Sequence, residues 1–157
     1  MVRTFMIAAA CAAVLMASPT AFAQAKFGTA AEAKVMLEKA IAAVKADKAK
    51  ATNQINKAEG GFLDRDLYPF CFNIGDGKIF AVASNNAKQF LNTDVRALKD
   101  ATGKVYGPDL YAGGQKSQVS EVSYMFPRPG EDKTPVQKVS FVSKAGADTG
   151  CGVGYYK

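Results

Sequence analysis

The sequence predicts an α+β domain in which a long N-terminal helix packs on a central antiparallel sheet, with short helices in the middle of the chain. Three observations carry this. Residues from Ala30 to about Lys57 repeat apolar positions at helical spacing. Five later segments read as strands. These strands are grouped around Gly- and Pro-rich turns instead of alternating with helices, which favours antiparallel meanders over a parallel sheet.

Before the helix, residues 1–23 have the three parts of a cleavable secretory signal. Arg3 gives a positive start, and Phe5 to Ala17 is an unbroken apolar run. Ser18-Pro19-Thr20 breaks it, and Ala21-Phe22-Ala23 offers the small residues of a cleavage site, placed between Ala23 and Gln24. The run is shorter than the roughly 20 residues that span a bilayer, and no later stretch approaches that length. The expectation is a signal at 1–23, then one domain at 24–157 without a transmembrane segment, periplasmic or secreted.

In the helix, Thr29 followed by Glu32 has the spacing of a capping box. Ala33, Leu37, Ile41, Val44, Ala51 and Ile55 form the apolar stripe, and Gly60-Gly61 supply a stop with glycine in a left-handed cap. Leu67 to Ile74 reads as the first strand, with Pro69 near its start or at an edge. Gly75-Asp76-Gly77 turns the chain into a second strand over Lys78 to Ala83. Ser84 to Leu91 and Pro108 to Lys116 read as short helices. Val119 to Phe126 and Pro135 to Lys144 alternate as strands on either side of Pro127-Arg128-Pro129-Gly130, and Cys151 to Tyr156 closes the domain.

Composition narrows the chemistry. The chain contains no histidine, which removes the usual general base, the usual metal ligand and any Ser-His or Cys-His pair. No enzyme constellation, metal site or cofactor motif is expected. The net charge is +6, and +5 once Arg3 leaves with the signal. The lysines are scattered, which favours anionic ligands or surfaces but lacks the clustering of a nucleic-acid interface. Cys11 lies in the signal, leaving Cys71 and Cys151 as an even pair in a compartment where disulfides persist. Free buried cysteines remain the alternative.

Four strings, in order and spacing, resemble the single Cache domain, the extracytoplasmic PAS-like sensor module of bacterial chemoreceptors and histidine kinases. They are Arg65-Asp66-Leu67-Tyr68 through Phe72 with the Asp76-Gly77-Lys78 turn, Leu98 to Lys104, Tyr124 to Gly130 with Lys138 and Phe141 after it, and Gly152-Val153-Gly154-Tyr155-Tyr156. The resemblance covers 29–157. Two departures bear on pocket shape: Phe126 stands where the family usually has Trp, and the Ala145–Thr149 turn lacks the family's Trp. The resemblance also implies that the first and last strands lie side by side, which would bring Cys71 and Cys151 within disulfide range.

What the resemblance implies about function rests first on Lys138, placed in a cavity for small carboxylates such as acetate, pyruvate or propionate. Strand alternation by itself leaves Lys138 facing either the interior or solvent. Tyr124 offers a phenol to a carboxylate but is also an ordinary core aromatic. Phe126 would pack beside it. Arg128 suits bidentate carboxylate binding, although loop-tip arginines are commonly solvated. Asn85 and Asn86 could donate to a ligand or serve as turn residues. Asp64-Arg65-Asp66 reads as a turn with local salt bridges. In the family's receptors the last strand feeds a membrane helix, whereas this sequence stops at Lys157. The expectation is therefore a periplasmic sensor-like module that binds a small organic anion and acts with a separate membrane receptor or histidine kinase. A structural or protein-interaction domain on the same scaffold, without a small ligand, is the alternative.

Overall fold

The structure is a computed structural model that describes residues 26–130 and 132–157. The signal segment and its cleavage site between Ala23 and Gln24 lie outside the described residues. Helix α1 (Ala30–Ala46) starts at the expected capping box: Thr29 Oγ1 accepts from the Glu32 amide at 3.3 Å, and the Glu32 carboxylate accepts from the Thr29 amide at 2.7 Å. It buries Ala33, Met36, Leu37, Ala40 and Val44.

The helix is not continuous to Lys57. Asp47 adopts an extended conformation (φ −160°, ψ 100°), and its carboxylate accepts from the Lys50 amide at 2.9 Å. An aspartate competes poorly for a helix interior and well for an N-cap, so it ends α1 and starts α2 (Lys48–Asn56). The break lets α1 lie on the middle strands while α2 turns towards the edge strand β2. The stop also differs from expectation. Ala58, not glycine, takes the left-handed position (φ 58°), with the Ala58 and Glu59 amides bonded to the Ile55 and Gln54 carbonyls in a Schellman arrangement. Gly60 and Gly61 follow, also at positive φ.

Five antiparallel strands form one sheet in the order β2-β1-β5-β4-β3. They are β1 (Pro69–Asn73), β2 (Ile79–Val82), β3 (Ser120–Pro127), β4 (Pro135–Lys144) and β5 (Thr149–Tyr156). The β1–β2 turn requires Gly77: its φ is +75°, and a Cβ there would overlap the Asp94 carboxylate. First and last strands are adjacent, Cys71 faces Cys151 in register, and the two are joined by a disulfide.

Strand alternation gives the sheet two faces. Helix α1 packs on β4 and β5 from one side. Helix α3 (Gly107–Gly114) and two 3-10 segments, Asn85–Phe90 and Val95–Ala97, lie against the other. The expected helix over Ser84–Leu91 is thus a 3-10 turn.

The sheet edges are covered by side chains. On β2, the Asn56 carboxamide accepts from the Val82 amide (2.9 Å) and donates to the Phe80 carbonyl (3.0 Å). On β3, Asp100 accepts from the Met125 amide (2.9 Å) and Lys104 donates to the Ser123 carbonyl (2.6 Å). Satisfied edge groups offer little to a foreign strand.

β5 alternates Gly150, Gly152 and Gly154 on the face opposite α1. A Cβ at these positions would overlap Phe72, Phe70 and Lys138 respectively. Bare backbone lets those long side chains lie flat across the central strand, which creates the floor of the site.

Candidate functional site

The site is built on a row across three strands. Tyr124 on β3 pairs with Lys138 on β4, which pairs with Tyr156 on β5. Directly opposed residues share a face, so the register alone puts these three side chains on the side away from α1. Tyr68, just before β1, joins them from below. Tyr106, just before α3, stacks on Tyr124 with ring centroids 3.9 Å apart.

Tyr68, Tyr106, Tyr124 and Lys138 wall a cavity of about 40 Å³, whose remaining lining includes Phe70, Ile79, Val82, Leu98, Leu110 and Phe126. By volume it holds about three water-sized groups, hence a molecule of roughly three to four heavy atoms. Its lining is aromatic and aliphatic, with one cation.

That cation is Lys138, 2% exposed. Its stem crosses Gly154, and Nζ donates to the Tyr68 hydroxyl at 2.8 Å and the Tyr156 hydroxyl at 3.4 Å. The rings of Tyr68, Tyr156 and Phe126 stand around it at 4.1, 4.7 and 5.1 Å from Nζ. Such a cage stabilises an ammonium only in part. None of the ion pairs among the described residues includes Lys138. Burial accordingly pulls its pKa down to about 7, against a smaller upward pull from Asp66. Burial has the opposite effect on the phenols: Tyr124 is pushed up to about 12, and Tyr68 and Tyr156 also rise. They are neutral hydrogen-bonding groups over the physiological range. Tyr124 also shares a 2.8 Å hydrogen bond with Ser140.

Behind the cage, buried Asp66 accepts from the Gly28 amide at 2.7 Å and from Arg128 Nη1 at 2.8 Å. Arg128 stacks between Phe27 and Tyr156, 4.0 and 4.6 Å from their ring centroids. Asp66 therefore pairs with a residue distant in sequence. The local pairing expected of Asp64-Arg65-Asp66 holds only for Arg65, which bonds Asp64 at 2.7 Å and also reaches Glu32 at 2.6 Å.

Of the residues singled out from sequence, Lys138, Tyr124 and Phe126 line the cavity. Arg128 and Asn86 do not. Asn86 donates to the Pro127 carbonyl at 3.2 Å and accepts from Ser84, bordering an open hollow with Asn85, Pro129 and Lys133. Sequence reasoning missed Tyr68 and Tyr106 as cavity residues, Tyr156 as a partner of the Lys138 amine and Asp66 as the anchor of Arg128. The signal for Tyr156 was present in β5, where the Gly-x-Gly-x-Gly alternation ends on it, but the partner strand's register was needed to use it.

No protein-family model matches the chain, and a search of curated proteins finds no relative. Solved structures do share its fold. A periplasmic sensor domain of a chemotaxis protein superposes with a TM-score of 0.57 at 22% identity, covering 80% of this chain and 88% of that one. A methyl-accepting chemotaxis protein from Vibrio parahaemolyticus gives 0.61 at 20% identity, with 80% and 86% coverage. A Cache chemosensory domain, described for its carboxylic acid recognition, gives 0.60 at 17% identity, with 80% and 91% coverage. The chain has the α+β, PAS-like fold of Cache sensor domains.

Proposed function

We propose that this chain is an extracytoplasmic sensor module that captures a small organic anion, a short monocarboxylate such as acetate, propionate or pyruvate, in the cavity under Lys138, which takes the four heavy atoms of acetate as it stands and must widen by one or two atoms for propionate or pyruvate. One observation carries the reading: a buried ammonium whose acceptors are phenols, at the wall of a small apolar cavity. A buried charge without a counter-ion is strongly disfavoured, and a carboxylate entering the cavity would supply one. Tyr124 and Tyr68 would donate to its oxygens, and the aliphatic wall would take the methyl or ethyl end. The share of fold with chemotaxis sensor domains supports the sensor class. The partner we propose is a separate membrane receptor or histidine kinase that reads the occupied state, a reading supported by the fold shared with a periplasmic sensor domain of a chemotaxis protein and a methyl-accepting chemotaxis protein.

Residues 1–23 would direct the chain out of the cytoplasm and be removed, leaving Gln24 as the first residue. Intact mass of the protein recovered from the periplasm tests this. The ligand is tested by thermal shift against acetate, propionate and pyruvate. A ligand at a hundredfold its Kd stabilises by about 2.7 kcal/mol, which raises Tm by about 8 °C for a domain of this size. No shift at millimolar concentration refutes the anion reading and leaves an interaction domain on the same scaffold.

A further inference from the structure

Lys138 carries a buried amine. Surface lysines are protonated and solvated. Lys138 is enclosed, bonded to phenols and open to a cavity that admits a molecule of three to four heavy atoms. Desolvated lysines in apolar pockets are the kind that attack carbonyl carbons.

We propose that Lys138 is a reversible covalent capture site: its buried amine, held by Tyr68 and Tyr156 at the cavity wall, condenses with small aldehydes or ketones to form an imine. This reading shares a cavity with the anion proposal but does not depend on it.

The chemistry balances within the site. The amine nitrogen attacks the carbonyl carbon, and one of its protons passes to the carbonyl oxygen, giving a carbinolamine. The C–O bond then breaks. Tyr68 gives its hydroxyl proton to the departing oxygen, which leaves as water, and recovers a proton from nitrogen as the C=N bond forms. No oxidant, reductant or further reactant is consumed. Tyr68 suits this role because its oxygen lies 2.8 Å from Nζ and burial keeps the phenol protonated. The groups facing the amine are Tyr68, Tyr156 on β5 and Tyr124 on β3, with Asp66 behind them already paired with Arg128. None of these carries a free charge that would hold the amine permanently protonated.

Propanal, which has four heavy atoms, is the probe. The native protein is incubated with propanal and cyanoborohydride at pH 7, and the rate of propyl addition at each lysine is read by peptide mass spectrometry. An amine whose pKa is about 7 is half unprotonated at that pH, against about one in 2,500 for an ordinary lysine. Lys138 should be modified at least about tenfold faster than exposed Lys57 and Lys99, after allowance for slower entry. The advantage should shrink as pH rises towards about 10, where ordinary lysines also lose their protons. A Lys138 peptide that is unmodified, or modified no faster than the exposed lysines, overturns the proposal. Because the native protein is used, no variant has to fold. Acetate has no electrophilic carbonyl carbon of this kind, so the two readings fail separately. Propanal trapping without an acetate shift removes only the anion reading, and the reverse removes only this one.

Discussion

Replacing Lys138 by methionine should make the protein more stable at pH 6 and leave it nearly unchanged at pH 10. Met keeps an unbranched stem of similar length across Gly154 and removes the charge. In the folded state the lysine pKa falls from 10.5 to about 7, chiefly because the ammonium is buried. At about 1.4 kcal/mol per unit, keeping that charge in the fold costs about 5 kcal/mol. The sign follows from proton counts. Between pH 7 and 10.5 the unfolded chain holds a proton that the folded chain has released, so wild-type stability rises with pH through this window. Below it both states are protonated and the full cost is present. The phenols do not interfere, since burial raises those of Tyr68, Tyr124 and Tyr156. Met leaves the Tyr68 hydroxyl without its donor, a loss of about 1 kcal/mol. The net gain at pH 6 is therefore about 3 to 4 kcal/mol, which moves a urea midpoint up by about 2 M. Urea unfolding of both proteins at several pH values between 6 and 10 reads this directly. A wild-type midpoint that is flat across the window refutes the reasoning, and so does a Lys138→Met variant as destabilised at pH 6 as at pH 10. A gain would mean that the fold carries the lysine at a cost in stability, as binding sites often do.

The other predictions concern the frame around the cavity. Gly154→Ala places a Cβ on the Lys138 stem and near Ser140, so it should destabilise by about 1 to 3 kcal/mol in chemical denaturation and abolish any carboxylate thermal shift. Ala58→Gly should gain up to about 1 kcal/mol, read as a rise in Tm, because glycine takes the left-handed cap without the Cβ penalty. Replacing both Cys71 and Cys151 by alanine removes a crosslink between residues 80 apart. The chain-entropy model puts that loss at about 4 kcal/mol, and a urea midpoint equal to that of the oxidised protein would contradict it.

Much of the frame was legible because it rests on local rules. Thr29 and Glu32 cap α1 as their spacing requires, the Gly75-Asp76-Gly77 turn makes a hairpin, alternation located β3 and β4, and apolar or aromatic composition beside turn signals located β1, β2 and β5. Asp47 broke the helix because one N-cap side chain can end a run of good helix formers, and helix propensity summed over a window passes over it. Ala58 took the cap expected of glycine because the Schellman bonds and the packing of Ile55 fix where the chain must turn. For the site, alternation left Lys138 facing either the interior or solvent, and putting Tyr124 beside it needed the β3–β4 register.

What the sequence by itself determined is the five strands and their order after an N-terminal helical segment, an even pair of cysteines and an α+β class. These follow from period, capping and turn chemistry, which act over a few residues. What only the tertiary structure decided is register and face. The pairing of β4 with both β3 and β5 lines up Tyr124, Lys138 and Tyr156. The bare backbone of Gly154 lets the lysine lie down, and the fold brings Tyr68 to its amine from 70 residues away. Burial then turns an ordinary strand lysine into a partly deprotonated amine in an aromatic cage. Desolvation depends on everything packed around a group, so no stretch of sequence around Lys138 could have announced it.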